Sequence, residues 1–535
     1  MDQTMSLTDV VSVLQEIMQT PGLPSSEDAV QQGQETSSVS TKKSTRPILP
    51  INFPPLDTLA LVDSTQPTEH DNSLQSLKSH LIEHILPYLN SQSLSPNYYG
   101  FVVGGVTPAA LLGDFIASIY DQNVFMHLPN DTLCTAIEVQ ALNALALDFF
   151  RLSPREAWEV GGPGSGGATF TTGATGSNIL GLALGREFVL RKALETKGVA
   201  LADASVGEYG LFEVMDLAGV KKIQVLSTLP HSTIAKAASV VGIGRRNVVS
   251  IATHDDPLQI DLEKLKAEVE KKDTLNILAI SAGEVNTGRF ATYSGANMKE
   301  IRHICSQNHV WIHVDGAFGL FGRLFTNDDP DYSHVARSLE GLDLADSITG
   351  DCHKLLNVPY DCGIFFTRHK SLSEHVFRNG NAAYLTSGLG PDDGIQSPGN
   401  IGLENSRRFR ALPVYATVKA YGRQSHVAML KRQINLARRI TEWLLRDDRF
   451  QVLPGGLDKA DIINKTYIIV LFRATDPEVN KSLVKMVNAD GRIYVSGTVW
   501  DGEPAARIAV SNWRVDVDRD ATLVQQVLNS VARSR

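Results

Sequence analysis

Lys354 lies in a stretch that suits covalent chemistry with an aldehyde. The stretch reads DCHKLLNVPY over residues 351–360 and places Leu355 and Leu356 directly after the lysine. A lysine amine attacks an aldehyde only after it loses its proton, and burial among apolar side chains lowers a lysine pKa from about 10.4. A lone His-Lys pair is more often exposed at a protein surface. The residues upstream favour the reactive interpretation, with Lys354 as a Schiff-base lysine.

Asp315 is predicted to lie at the carboxyl end of a buried strand. Residues 310–314 (VWIHV) are mostly β-branched or aromatic, a pattern typical of a parallel strand with both faces covered. In open α/β sheets ligands bind beyond the carboxyl ends of the strands, and pyridoxal phosphate needs a carboxylate at its ring nitrogen. Gly316 and Ala317 would leave space for a flat ring. Taken alone, Asp315 could equally cap a turn after the strand.

A glycine-rich turn before a predicted helix supplies a candidate phosphate site. The turn reads GGATFTTGATGSN over residues 166–178, and a helix is predicted over residues 179–197. Gly173, Ala174 and Thr175 would lie at the helix start, where backbone amides, hydroxyl groups and the helix dipole attract anions. Such turns are common, so this signal is weak by itself. His231 follows a predicted strand and could stack on a cofactor ring, although a lone histidine is more often structural.

Together these segments resemble the group II pyridoxal-phosphate-dependent amino-acid decarboxylases. That family contains the aromatic-amino-acid, glutamate and cysteine-sulfinate decarboxylases. The resemblance covers about residues 96–513, and its most specific stretches are HVDGA at 313–317, DS at 346–347 and DCHK at 351–354. It implies pyridoxal phosphate as the cofactor and an L-amino acid as the substrate.

The resemblance also implies a role for each candidate residue. Lys354 would bind the cofactor as a Schiff base, and Asp315 would contact the pyridinium nitrogen. His231 would stack on the ring and orient the substrate, while Ala317 would contact a ring face. The residues expected to hold the phosphate are Gly173, Ala174, Thr175, Ser347 and His353.

Residues 381–388 (NAAYLTSG) match the mobile loop of that family. The resemblance implies that Tyr384 is the general acid that protonates the α-carbon after carbon dioxide leaves. Relatives with phenylalanine at this position react with oxygen and release an aldehyde, so the phenol favours simple decarboxylation. An exposed loop tyrosine without a catalytic role is the alternative. The glycines and prolines of residues 380–399 are typical of a moving lid.

Two segments depart from the family pattern and leave the substrate open. Residues 282–288 read AGEVNTG, so Glu284 or Val285 replaces a threonine near the cofactor. Glu284 could select the substrate, pair with a basic neighbour or point outward. The substrate-side segment at residues 98–108 (YYGFVVGGVTP) is also rich in glycine.

The family motifs, together with these two departing segments, resemble a fungal tyrosine-decarboxylase-like branch. This resemblance predicts that the substrate is an aromatic L-amino acid such as tyrosine or tryptophan. Three alternatives remain open at this point. The chain could decarboxylate an acidic amino acid, it could form an aldehyde oxidatively, or it could be a catalytically silent binding protein.

Composition indicates a soluble enzyme with a large core. The 535 residues are 43% hydrophobic and 20% charged, with a net charge of -9 at pH 7. No dense Lys/Arg face is evident, so we expect no nucleic-acid partner. The four cysteines lack a paired spacing, and no run of 18 apolar residues occurs. These features predict a cytoplasmic protein with no metal site and no membrane segment.

Alternating strand and helix signals predict a mainly parallel α/β sheet. We expect a type I aminotransferase-like fold with a flexible extension (1–50), a helical arm (51–150), a large cofactor domain (151–410) and a small α+β domain (411–535). The mobile loop would lie near residues 380–400, and a long helix over 412–445 would follow it. The resemblance implies a homodimer whose site is made from both subunits.

Overall fold

The computed structural model describes residues 7–19, 48–50, 53, 74–162, 165–199, 204–379, 394–455 and 458–533. Two sheets lie within these residues. Their strands are β1 Tyr98–Tyr99, β2 Gly167–Thr171, β3 Lys222–Ser227, β4 Val248–Ser250, β5 Thr274–Ser281, β6 Trp311–Asp315, β7 Ser347–Asp351, β8 Gly363–Thr367, β9 Phe450–Leu453, β10 Ile469–Ala474, β11 Tyr494–Trp500 and β12 Glu503–Ala509.

The helices differ greatly in length, from single turns to a helix of 34 residues. They are α1 Leu7–Gln19, α2 Leu74–His80, α3 Pro108–Tyr120, α4 Cys134–Asn143, α5 Arg155–Trp158, α6 Ala174–Thr196, α7 Val206–Ala218, α8 Ser232–Val240, α9 Leu262–Val269, α10 Gly295–Gln307, α11 Ser333–Ser338, α12 Cys352–Leu355, α13 Lys370–Phe377, α14 Ala411–Leu444, α15 Lys459–Lys465, α16 Pro477–Asp490 and α17 Val517–Arg533. Among the helices described, none has the length and hydrophobicity needed to cross a bilayer.

The larger sheet has the strand order β2-β8-β7-β6-β5-β3-β4. Strands β7, β6, β5, β3 and β4 run parallel, whereas β8 pairs antiparallel with both β7 and β2. Strands β6 and β7 are buried along their whole length, as expected for a sheet covered on both faces. The pairing brings the carboxyl ends of β6 and β7, with Asp315 and Asp351, to one edge of the sheet. The predicted mainly parallel sheet is confirmed.

Helix α6 packs so tightly on β6 that two of its residues must be glycine. A Cβ on Gly181 would lie 2.3 Å from the His313 ring, and one on Gly185 would lie 2.8 Å from Trp311. Most of the first four turns of the helix are buried against the sheet and neighbouring helices. This close approach places the start of α6 beside the carboxyl ends of β6 and β7.

The smaller sheet has the order β1-β11-β12-β10-β9. Its parallel edge strand β1 comes from the predicted helical arm. Helix α14 serves both cores, since Ile434 packs in the large core while Ile440 and Leu444 pack in the small one. The proposed boundary at 410/411 thus falls at the start of a helix shared by two cores, and the three boundaries between the four domains stay predictions.

Candidate active site

Lys354 lies in the single turn α12, directly after β7. Its Nζ is 2.9 Å from Oδ2 of Asp351, and its side chain is 22% exposed. The same nitrogen lies 5.8 Å from the centre of the Phe318 ring. The amine is therefore anchored at the carboxyl edge of the sheet while part of it stays accessible to a ligand.

Asp315 ends β6, as the sequence predicts, and is almost fully buried. Its Oδ2 accepts a hydrogen bond from Asn178 Nδ2 at 3.0 Å, and its Oδ1 accepts one from the Ala317 amide at 3.3 Å. The half-buried Ala317 also accepts a bond from the Asp351 amide at 3.0 Å. These contacts fix a carboxylate at the position where a protonated ring nitrogen would need it.

A chain of buried side chains behind Asp315 orients this carboxylate. Burial lowers the pKa of His313 to about 3, so its ring is neutral. His313 Nε2 then donates to Asn178 Oδ1 at 2.8 Å, and Nδ1 accepts from Ser347 Oγ at 2.8 Å. Sequence reasoning missed Asn178 and the role of His313. A polar residue inside the apolar run VWIHV was the available signal.

Ser347 is not brought to the phosphate turn. It begins β7, whereas Asp351 ends it, so roughly 13 Å of strand separates the two residues at about 3.3 Å per residue. The buried Ser347 hydroxyl also accepts a bond from Trp311 Nε1 at 3.1 Å. The expectation that Ser347 holds phosphate is corrected, because its hydroxyl belongs to the chain that supports Asp315.

The predicted phosphate residues Gly173, Ala174 and Thr175 do lie at the start of α6. Gly173 has a φ of 147°, which favours glycine. The Ala174 amide donates to Asp351 Oδ1 at 2.6 Å. Oxyanion groups bind at helix starts of this kind, and here a carboxylate of the chain itself does so. The donors at this position therefore fit a phosphate group.

His353 packs against the same turn. A Cβ on Gly173 would lie 3.4 Å from His353 Cε1. The Cys362 amide donates to His353 Nδ1 at 3.2 Å, which leaves Nε2 on the side of Asp351, 3.6 Å from its Oδ2. Burial lowers the pKa of His353, although the charge of Asp351 opposes this. Gly173, Ala174 and His353 are thus brought together as predicted.

His231 caps helix α8 and lies on the same side of the sheet. Its Nδ1 accepts from the Thr233 amide at 3.3 Å, and Thr233 Oγ1 accepts from Asn178 Nδ2 at 3.1 Å. Burial lowers the pKa of His231, whereas the nearby Asp315 raises it and Lys354 lowers it. The imidazole is therefore held in place through Thr233 and lies within electrostatic range of Asp315 and Lys354.

Arg507, in β12, is a buried cation that sequence reasoning missed. Its Nε donates to the Val285 carbonyl at 2.6 Å and its Nη1 to the Gly100 carbonyl at 2.7 Å. Burial lowers the pKa of Arg507 to about 10, so the guanidinium stays charged at neutral pH, and the carboxylate of Glu284 favours that charge. A single arginine in the run AARIAV was the available signal.

Glu284 is buried and bonded within its own turn. Its Oε2 accepts from the Thr287 amide at 2.8 Å, and its Oε1 accepts from the Asn286 amide at 3.0 Å. Of the three interpretations from the sequence, an outward-pointing side chain is excluded by this burial. Glu284 shapes the turn beside Val285 and partly compensates the charge of Arg507.

The glycines of the substrate-side segment are required by close packing. A Cβ on Gly100 would lie 2.4 Å from the Tyr494 ring, and one on Gly104 would lie 1.9 Å from the Lys354 carbonyl oxygen. Tyr494 stacks on Tyr98 with ring centres 4.9 Å apart. This segment forms a wall that covers the backbone of the reactive lysine.

Two further predictions from the sequence concern the general acid and a metal site. Tyr384 lies outside the described residues, so its role as general acid stays a prediction. Across the described ranges, no group of three or more His, Cys, Asp or Glu side chains could hold a metal ion.

Comparison with known proteins identifies the family. Residues 55–462 match the model of the pyridoxal-dependent decarboxylase conserved domain. An aromatic-L-amino-acid decarboxylase from Bacillus atrophaeus is 24% identical over 442 residues, which are 81% of this chain and 80% of that protein. An L-2,4-diaminobutyrate decarboxylase from Acinetobacter baumannii is 25% identical over 386 residues, 70% of each protein.

The fold is shared with solved structures of such enzymes. A crystal structure of Oryza sativa TDC with pyridoxal phosphate and tryptamine matches with a TM-score of 0.76 at 21% identity, over 99% of both chains. This match confirms the predicted type I fold. Since the family model covers more than half of the 535 residues, the chain belongs to the pyridoxal-dependent decarboxylases, and it is an amino-acid decarboxylase with pyridoxal phosphate as its cofactor.

Proposed function

We propose that this enzyme converts an aromatic L-amino acid to the corresponding amine and carbon dioxide. The observation that carries the proposal is that Arg507, from the smaller sheet, contacts Val285 and acts electrostatically on His231 together with Asp315 and Lys354. Aromatic rings lie beside these residues: Phe318 lies near the Lys354 amine, and Tyr360 packs on His353 with ring centres 4.3 Å apart. The Bacillus relative, named for aromatic substrates, supports the same choice.

Each residue then has a distinct task. Pyridoxal phosphate, when bound, supplies the electron sink for decarboxylation. Lys354 would bind the cofactor covalently, and the carboxylate of Asp315 would favour a proton on the ring nitrogen. The start of α6 and His353 would hold the phosphate, His231 would orient the ring, and Ala317 would lie against it.

Arg507 is the proposed anchor for a carboxylate of the substrate. Its guanidinium is charged, and among the described residues its hydrogen bonds to Val285, Gly100 and Ser496 use two of its nitrogens, Nε and Nη1. An arginine of this kind binds carboxylates through charge-assisted hydrogen bonds. It would attract the incoming amino acid and hold it before the bond to the carboxyl carbon breaks.

Tyr384 is the proposed general acid that returns a proton to the α-carbon. This assignment rests on the match of the NAAYLTSG segment to the family loop. Replacement by phenylalanine should shift the product from amine to aldehyde and peroxide in the presence of oxygen. An unchanged yield of amine would remove Tyr384 from the mechanism.

An acidic L-amino acid is the second candidate substrate, because Arg507 could pair with a side-chain carboxylate. The nearby Glu284 compensates the charge of Arg507 toward an α-carboxylate and a side-chain carboxylate alike, so the substrate assay decides between the two candidates. Oxidative aldehyde formation is a further candidate reaction. The fungal tyrosine-decarboxylase-like branch likewise stays a prediction.

We also propose a homodimer built on helix α3. The helix buries its small residues Ala110, Gly113 and Ala117 against the rest of the chain. Its opposite face is apolar and exposed, a pattern typical of a protein interface. The exposed residues are Leu111, Leu112, Phe115, Ile116, Ile119 and Tyr120. A cytoplasmic location is proposed as well, supported by four buried cysteines that form no disulfide.

The test is an assay of the purified enzyme with pyridoxal phosphate, with and without oxygen. Each protein amino acid is supplied in turn, released carbon dioxide is measured, and the organic product is identified by mass. Amine and carbon dioxide in equal amounts from an aromatic amino acid would support the proposal. Turnover of aspartate or glutamate alone, or an aldehyde that needs oxygen, would replace it by one of the other candidates.

A further inference from the structure

Asp351 places a carboxylate inside the predicted phosphate site. The residue ends β7 and is only 2% exposed. Its Oδ1 accepts from the Ala174 amide at 2.6 Å, and its Oδ2 lies 2.9 Å from Lys354 Nζ. The carboxylate therefore uses both a helix-start donor assigned to the cofactor phosphate and the amine assigned to the cofactor aldehyde.

A phosphate group cannot share this position without a change. The Ala174 amide has one proton and serves one strong acceptor at a time. A phosphate bound at the same helix start would also lie beside a carboxylate of like charge in a buried setting, where repulsion is strong. Gly173 lies close to both His353 and Asp351, so little space separates these groups.

We propose that Asp351 competes with the cofactor phosphate for the start of α6, and that the carboxylate must leave the Ala174 amide when pyridoxal phosphate binds. Asp351 is thus a positioning residue that satisfies the turn and holds Lys354 while the site is empty. The free energy needed to move the Asp351 carboxylate away from the turn lowers the affinity for the phosphorylated cofactor. The inference rests on the cofactor assignment and is independent of which amino acid is the substrate.

Replacement of Asp351 by asparagine removes the negative charge but keeps nearly the same side-chain shape. An asparagine oxygen can still accept from Ala174, so the turn keeps its hydrogen bond, while the competing charge is lost. Its amide group can in addition donate to a phosphate oxygen. We therefore expect D351N to bind pyridoxal phosphate at least about tenfold more tightly than the unsubstituted enzyme.

The experiment compares pyridoxal phosphate with pyridoxal, the same aldehyde without the phosphate. Dissociation constants of both are measured by absorbance on cofactor-depleted enzyme, with and without D351N. Loss of the partner of Lys354 affects both ligands equally, so it cancels in their ratio. The proposal predicts that D351N raises the preference for pyridoxal phosphate over pyridoxal by about tenfold. It also predicts that inorganic phosphate becomes a stronger competitor of the cofactor.

A matched control removes a charge nearby without touching the turn. Asp361 pairs with Arg410 at 2.8 Å, and Asp361→Asn should leave the ratio unchanged within about twofold. Equal changes for pyridoxal and pyridoxal phosphate in D351N would contradict the proposal, because Asp351 would then act only through Lys354. Weaker binding of pyridoxal phosphate alone would contradict it too, because Asp351 would then support the phosphate. Saturable binding of pyridoxal by D351N, whatever its dissociation constant, shows that the variant has folded.

Discussion

The two ends of strands β6 and β7 carry similar polar residues but leave them in different states. At the amino end of β7, Asp346 is bonded to Arg302 at 2.8 Å, to His369 at 3.0 Å and to the Ile312 amide at 2.8 Å. We call these groups the closed network. At the carboxyl end, Asp315 has Asn178 and one amide as partners, and Lys354 is partly exposed.

This comparison distinguishes charged residues that stabilise the fold from charged residues that can bind a ligand or react with it. Burial disfavours the ionised form of Asp346, but the hydrogen bond from His369 and the charge of Arg302 still lower its pKa. That network is complete, so it has no capacity left for a ligand. A ligand can still form hydrogen bonds or ion pairs with three side chains at the edge where α/β sheets bind their ligands: Asp315, Lys354 and Arg507.

The largest effect is expected for Lys354→Ala at the open end. Without the amine the enzyme cannot bind the cofactor covalently, and we expect kcat to fall by more than about 1,000-fold. The near-visible absorbance of the bound cofactor should vanish as well. Lys431→Ala, which removes a partly exposed lysine paired with Asp329, is the control and should leave both readouts unchanged.

The next effect is expected for Asp346→Asn in the closed network. It leaves Arg302 without its buried carboxylate partner, so the free energy of unfolding should fall by about 3 kcal/mol at pH 7. The pKa of Asp346 is lowered on folding, so this stabilisation is present above about pH 4 and is lost as the pH falls through the folded-state value. Urea titrations at several pH values would check it. A difference from the unsubstituted enzyme that persists at low pH would show that the charge is not the cause.

A smaller effect is expected for Arg507→Lys. Lysine keeps the positive charge but cannot donate to Val285, Gly100 and a substrate carboxylate in a fixed planar geometry. We expect the substrate KM to rise by roughly 30-fold, about 2 kcal/mol, with a smaller change in kcat. Steady-state kinetics give both values. A loss confined to kcat would place Arg507 in the chemical step and not in binding.

The smallest effect is expected for Asn178→Ala behind Asp315. The carboxylate loses one oriented hydrogen bond of about 1 kcal/mol, so pyridoxal phosphate should bind roughly fivefold more weakly. Fluorescence titration of the cofactor-free enzyme measures this constant. Asn308→Ala, which removes a bond to a helix carbonyl on α10, serves as the matched control. Tighter binding in Asn178→Ala would mean that Asn178 competes for the carboxylate.

Much of the fold followed from local pattern. The long helix predicted over 412–445 is observed as Ala411–Leu444, and the helix predicted over 179–197 is observed as Ala174–Thr196. Strand β11 was missed because it alternates weakly and is half exposed, and β1 has only two residues. Strand β1 owes its structure to pairing with β11, which is far away in the chain, whereas β11 also pairs with the adjacent β12.

Part of the site was also predictable from local sequence patterns. Lys354, Asp315, His231 and the α6 start each lie at the end of an element, and parallel pairing brings such ends together. The positions of Ser347 and Asp351 depend on which end of β7 faces the ligand, and the role of Arg507 depends on the packing of two sheets. The sequence shows only that the segment with Gly100 and Gly104 is rich in glycine, whereas the structure shows that each is needed for a contact with a distant residue.

The most direct test of the contrast is one thermal melting experiment on the unsubstituted enzyme, Asp315→Asn and Asp346→Asn, each with and without pyridoxal phosphate. Our account predicts that Asp346→Asn melts several degrees lower but keeps the increase in Tm that the cofactor gives. Asp315→Asn should keep its Tm without cofactor and lose most of that increase. The reverse pattern, with the cofactor effect lost in Asp346→Asn and kept in Asp315→Asn, would contradict the account.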